Sequence, residues 1–140
     1  MFSLRALFLL VLSAPCLLAH DLWVDVQPGQ PPPRGDVTVV VAGGHYFPAS
    51  EMVLQDRLLQ SLQVARPDGR REDVTTAPQG RQREGRLVLD GTGWNVVSLI
   101  VQKPQMDHPD YWARALVIPE GAAAQAYPAS GIGLEIVPLG

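Results

Sequence analysis

Cysteine is almost missing from this chain of 140 residues: Cys16 is the only one, and it lies in an apolar stretch at the N-terminus. If that stretch is removed, no disulfide holds the rest together, even in an oxidising compartment. Charge is scarce as well, with 18% charged residues and a net charge of -3. Proteins that bind nucleic acid carry clustered Lys and Arg, so no nucleic-acid partner is expected. The one basic segment, residues 70–86, is interrupted by Glu72, Asp73, Glu84 and glycines, and reads as solvated hairpin surface. There is no P-loop, no GxGxxG fingerprint and no GxSxG elbow. With no cysteine nucleophile beyond the leader either, acyl and phosphoryl transfer have no visible machinery, and the expectation is a protein that is not an enzyme. No apolar run reaches the roughly 20 residues that a membrane-spanning helix needs.

What is present begins with a leader. Arg5 supplies a short basic region, residues 6–12 are unbroken apolar, and Ala19 offers a small residue at a cleavage site. Residues 1–19 therefore read as a secretory signal peptide and residues 20–140 as one exported domain, located in the periplasm and with no stable membrane insertion after cleavage. Leu17 is a poor residue at the third position before the cut, so alternatives stay open. One is a lipoprotein cut before Cys16, where Pro15 fits badly; the others are a cut at another position and a leader that remains as an anchor.

The exported part reads as all-β. "HDLWVDV" alternates Leu22, Val24 and Val26 against Asp21, Trp23 and Asp25, the period of a half-buried strand. "QPGQPPPRGD" breaks the pattern, and "DVTVVVAG" is a β-branched run suited to a central strand. Ser50 and Glu51 are placed to open one or two helical turns through "EMVLQDRLL". Beyond them, Pro67-Asp68-Gly69 and Asp90-Gly91-Thr92-Gly93 each read as a turn between extended arms, and "YWARALVIP" and "GLEIVPL" supply further strands. Seven or eight short strands with regular turns predict an immunoglobulin-like β-sandwich. Trp23, Trp94 and Trp112 fall in or beside strands, where core positions are expected for such large side chains.

Histidine is limited to His20, His45 and His108. Cleavage after Ala19 would make His20 the N-terminal residue, with its imidazole and a free amine on one residue. Ordinary pKa values near 8 for the amine and about 6.5 for an imidazole let a divalent metal displace both protons close to neutral pH. Nitrogen-rich chelation suits Cu(II) or Ni(II). His45, in "AGGHYFP", is the natural third ligand, because Gly43 and Gly44 allow close backbone approach. His20 and His45 reach one end of the sandwich if their strands run antiparallel. His108, with Met106, Asp107 and Asp110 nearby, or Asp21 could complete the set. The plainer reading leaves His20 as a tolerated polar residue, His45 packed beside Tyr46 and Phe47, and His108 in an exposed loop.

"AHDLWV", "VVVAGGHYFP", "ARPDG", "GWNVVSLIVQ", "YWARALVIP" and "GLEIVPL", in that order, resemble the secreted bacterial family called Domain of Unknown Function 4198. The resemblance extends from His20 to Leu139. It implies a periplasmic immunoglobulin-like sandwich associated with nickel and cobalt uptake, with a membrane metal-uptake transporter as partner. By position it maps the family's mature N-terminal histidine onto His20 and its Gly-His-x-Phe-Pro histidine onto His45. The expected cargo is thus a divalent transition metal, nickel or cobalt by resemblance and copper by donor chemistry. Two other classes remain compatible with these residues: a copper enzyme oxidising polysaccharide, disfavoured by the short chain, and a metal-free envelope interaction module.

Overall fold

A computed structural model describes residues 21–102 and 111–123. Eight strands run in chain order: β1 (Asp21–Gln27), β2 (Arg34–Gly44), β3 (Leu59–Ala65), β4 (Arg71–Asp73), β5 (Thr76–Gln79), β6 (Gln82–Asp90), β7 (Asn95–Val101) and β8 (Tyr111–Val117). They form two four-stranded antiparallel sheets, ordered β1-β2-β6-β5 and β4-β3-β7-β8. The first order is that of the immunoglobulin ABED sheet, and the second is its CFG sheet with one added edge strand. The expected all-β sandwich is therefore present.

Strand periodicity explains the core. Val24 and Val26 of β1, Val37, Val39 and Val41 of β2, and Leu87 and Leu89 of β6 all point inward from the first sheet. They meet Leu62 and Val64 of β3, Val97, Leu99 and Val101 of β7, and Val117 of β8. Each such side chain contributes about 1.5–3 kcal/mol on full burial. β7 is buried on both faces, since Val96 and Ser98 on its outer side are also covered. Among the described residues Ser98 Oγ is buried without a hydrogen-bond partner, and nothing in the structure accounts for it.

The Pro67-Asp68-Gly69 turn joins β3 to β4 as expected. Arg66 N–H donates to the Arg70 carbonyl at 2.8 Å, Gly69 N–H donates to the Arg66 carbonyl at 2.9 Å, and Gly69 takes φ +84°. Asp68 accepts from the Arg70 backbone N–H at 3.0 Å and from Arg70 Nε at 2.6 Å. That backbone N–H, and next the Arg70 side chain, hold the Asp68 carboxyl below its ordinary range.

Four expectations need correction. Residues 50–58 form no α-helix: only a three-residue 3₁₀ turn, Asp56–Leu58, appears, and no side chain caps it. Ser50 donates instead to the Arg81 carbonyl at 2.6 Å, which draws it away from the role of helix cap. Asp90-Gly91-Thr92-Gly93 is not a hairpin turn, because β6 and β7 lie in different sheets; it is a crossover. A β-carbon on Gly93 would overlap the Pro67 ring, so the glycine is there to let the crossover pass over the β3–β4 turn. The hairpin actually made is β5–β6, with Gly80 at φ +60°.

The third correction concerns the basic segment, where Arg83 is only 4% exposed. It points between the sheets and donates to the Leu54 carbonyl at 3.1 Å and the Thr76 carbonyl at 2.9 Å, and pairs with Asp56 at 2.6 Å. The fourth concerns tryptophan. None joins the buried core: Trp112 is 53% exposed on the outer side of β8, and Trp23 and Trp94 are partly buried. Strand parity decides it, because Ala113, Ala115 and Val117 take the inward positions of β8 and leave Trp112 outside beside Ile100. The strand expected over "GLEIVPL" lies outside the described residues.

Candidate functional site

β1 and β2 pair antiparallel without a break, from Gln27 opposite Thr38 to Asp21 opposite Gly44. The condition set by the sequence is met at this point: the strand that follows His20 and the strand that precedes His45 run antiparallel. The covalent neighbours of a paired couple, Asp21 and Gly44, are therefore His20 and His45.

Past Gly44 the chain turns back on itself. Ala49 N–H donates to the Tyr46 carbonyl at 2.8 Å, and the Gly43 carbonyl accepts from Glu51 and Met52 at 2.8 and 3.1 Å. The two glycines provide room for this return. A β-carbon on Gly43 would sit 2.7 Å from Leu22 Cδ2, and one on Gly44 would sit 3.0 Å from the Ala49 carbonyl and 3.1 Å from Glu51 Cγ. Glu51 thus lies over bare backbone and reaches His45, whose Nδ1 is 2.6 Å from Glu51 Oε2.

This contact gives the imidazole a direction. With the ring neutral and its proton on Nδ1, Glu51 accepts that proton's hydrogen bond and the lone pair lies on Nε2, an atom that is buried in this structure. A carboxylate behind a histidine is the usual support for a metal-binding ring, since it fixes tautomer and orientation and raises the basicity of the other nitrogen. Arg83 underlies the loop from within, through its bonds to Leu54 and Asp56.

The loop also carries aromatics. Tyr46 and Phe47 are 76% and 67% exposed, and Trp23 meets Phe47 edge to face with centroids 5.7 Å apart. Asp21 is exposed at the start of β1.

Of the three histidines read from the sequence, His45 is described; His20 and His108 lie outside the described residues, as do Met106, Asp107 and Asp110. Among the described residues no group of three or more His, Cys, Asp or Glu side chains is gathered as a metal would need. The described part of the candidate site therefore supplies one imidazole oriented by a carboxylate. Sequence reasoning missed Glu51, which it had assigned to a helix start, and Met52, bridged to Gly43. Two glycines before a histidine and a carboxylate soon after it, in a loop too short for a helix, were the available signal.

No family model, curated protein or solved structure matches this chain. Among the described residues no helix is long and apolar enough to cross a membrane.

Proposed function

We propose that the chain binds a divalent transition metal in the bacterial periplasm and passes it to a membrane uptake system. The observation that carries this reading is the β1–β2 register, with Asp21 opposite Gly44 and His45 next along, its Nδ1 held by Glu51. Paired Cα atoms in an antiparallel ladder lie about 4.5–5.5 Å apart and each peptide adds about 3.8 Å, so covalent reach alone keeps the Cα atoms of His20 and His45 within about 13 Å. That is the scale on which two imidazole side chains and one ion meet.

In this reading His20 chelates through its amine and imidazole nitrogen once the leader is cut after Ala19. His45 offers Nε2, and His108 or Asp21 completes the set. Binding requires deprotonated nitrogens, so metal capture releases protons and affinity falls as pH drops. A site with fewer than four protein ligands would suit cargo that must leave again, in contrast to a closed four-ligand structural site. Nickel or cobalt follows from the family resemblance; nitrogen-rich donors, with Met52 beside Gly43, also suit copper.

The test joins two readouts on protein exported with its own leader. Intact mass fixes the N-terminus, and calorimetry with Ni(II), Co(II) and Cu(II) compares wild type with His20→Ala and His45→Ala. Tight binding lost in both variants, on a chain that begins at His20, supports the site. A cut elsewhere, or indifference to both substitutions, rejects it.

A metal-free interaction module is favoured by one specific observation. Trp112, Leu116 and Ile118 are exposed on the outer face along and just past β8, an edge strand of its sheet, with Arg114 between the first two. Edge strands with apolar faces are natural places for another chain to add. This reading expects partner association to survive loss of both histidines and to fail in Trp112→Ser with Leu116→Ser.

A further inference from the structure

Asp21, the first described residue after the leader, and the aromatic loop lie at one end of the sandwich. Residues 6–12 are apolar, and Ala19 stands only two residues before Asp21, the strand position that pairs with Gly44. The loop that leaves Gly44 displays Tyr46 and Phe47 almost fully, with Trp23 against Phe47. We infer that, in the chain that still carries its leader, the Tyr46–Phe47 tip rests on the lipid surface and holds the sandwich end-on to the membrane.

Reach permits it. Two residues extend about 7 Å at most, comparable with the few ångströms of headgroup layer that separate the hydrocarbon core from water. Chemistry favours it, since aromatic side chains are enriched at this interface. The tip is also held in place. Ala49 N–H bonds back to Tyr46, Ser50 Oγ bonds to Arg81, and Trp23 braces the ring of Phe47, so presenting the aromatics costs little further ordering. Among the described residues the opposite end displays no exposed aromatic: Val88, Leu116 and Ile118 are exposed aliphatics there, beside the exposed polar Asp68, Arg70, Asp90 and Thr92. Asp21 and Glu51 flank the tip, so a neutral lipid surface suits it better than an anionic one, and binding should depend little on salt. The inference needs neither the His20 amine nor the His45 ring, and so stands or falls apart from the metal reading.

The experiment reconstitutes the full 140-residue chain, leader intact, into phosphatidylcholine vesicles that contain a lipid-borne quencher. In a Cys16→Ser background, an environment-sensitive fluorophore is placed at Ala49→Cys on the loop or at Thr92→Cys at the other end; both positions are exposed. Strong quenching and a blue shift at position 49 only, with the preference for 49 over 92 reduced about tenfold or more per aromatic in Tyr46→Ser and Phe47→Ser, support the inference. Equal quenching at both positions, no quenching at either, or a preference unmoved by the serine variants overturns it. A shift at 49 that grows with protein concentration in the absence of vesicles also overturns it, because the tip would then be meeting a second copy of the chain.

Discussion

The two ends of the sandwich are locked in the same way and finished differently. At the end with the β3–β4 turn, Arg66 is 6% exposed and reaches from the second sheet to the Val88 carbonyl of the first at 2.8 Å, while its Nε and Nη2 hold Glu72 Oε2. At the end with His45, Arg83 reaches from the first sheet to Leu54 and Asp56 on the way into the second. Each guanidinium joins the layers through several hydrogen bonds in a region with no cysteine to do so. Beyond the arginine the ends part company. Around Arg66 the exposed groups answer one another, Arg70 with Asp68, Glu72 and Asp90. Around Arg83 the chain continues into a loop whose aromatics Tyr46 and Phe47 are exposed and whose imidazole is held by Glu51, with its Nε2 buried. The contrast sets an end closed by ion pairs against an end that displays aromatic rings.

The largest test of that contrast removes the shared part. Arg66→Met and Arg83→Met keep the aliphatic stem but strip buried acceptors of their donor, and each should cost about 3 kcal/mol, a loss of the order of 10 °C in Tm. Calorimetric unfolding of both variants checks whether the ends are equal. A much smaller loss for Arg83→Met would make the His45 end the looser one.

Gly93→Val comes next. Its side chain would overlap Pro67, and about 1–3 kcal/mol should be lost in urea unfolding. Gly44→Ala is its counterpart at the other end. It should cost about 1 kcal/mol or less but push Glu51 away from His45, which a change in the imidazole nitrogen resonances would report.

Glu51→Gln sharpens the comparison further, because it should hardly move stability, by about 0.5 kcal/mol or less for so exposed a pair. Under the proposed function it should still weaken metal binding about 10- to 100-fold in calorimetry. The smallest effect belongs to the paired turn. Asp68 is held below its ordinary value of 3.8, mainly by the Arg70 backbone N–H. A carboxyl lowered in the folded state stabilises above its unfolded pKa, and that contribution is lost as pH falls through the folded value. Urea midpoints measured from about pH 5 downward should therefore fall slightly more for wild type than for Asp68→Asn.

Much of this could be read from the residues, and the failures share a cause. The alternation of Leu22, Val24 and Val26 gave β1 its inward face, and it had already put Trp23 on the outward one; residue size was wrongly allowed to overrule parity. The Val-rich run around Val39 correctly announced a central strand. Turn chemistry located Asp90-Gly91-Thr92-Gly93 but carries no information about which sheet the next strand joins; contact with Pro67, more than twenty residues away, accompanies the crossover. Ser50, Glu51 and Arg83 were misjudged for the same reason, since each is committed to a partner distant in sequence or across a loop, and local propensity is blind to such partners. For the candidate site, His45 and the need for two glycines before it were legible, whereas its carboxylate was not.

The strand order also sets when this site comes into being. Asp21 and Gly44 stand opposite each other in a pairing that involves only the first forty-four residues, yet an isolated two-stranded hairpin is marginal in water. The other neighbour of β2 is β6, and the seat for Leu54 and Asp56 is Arg83, so the loop of His45 gains its support only after residues 82–90 have emerged. Under the proposed function, in which the chain is exported N-terminus first, His20 must wait for a strand more than sixty residues behind it. The first residues out are among the last to become competent.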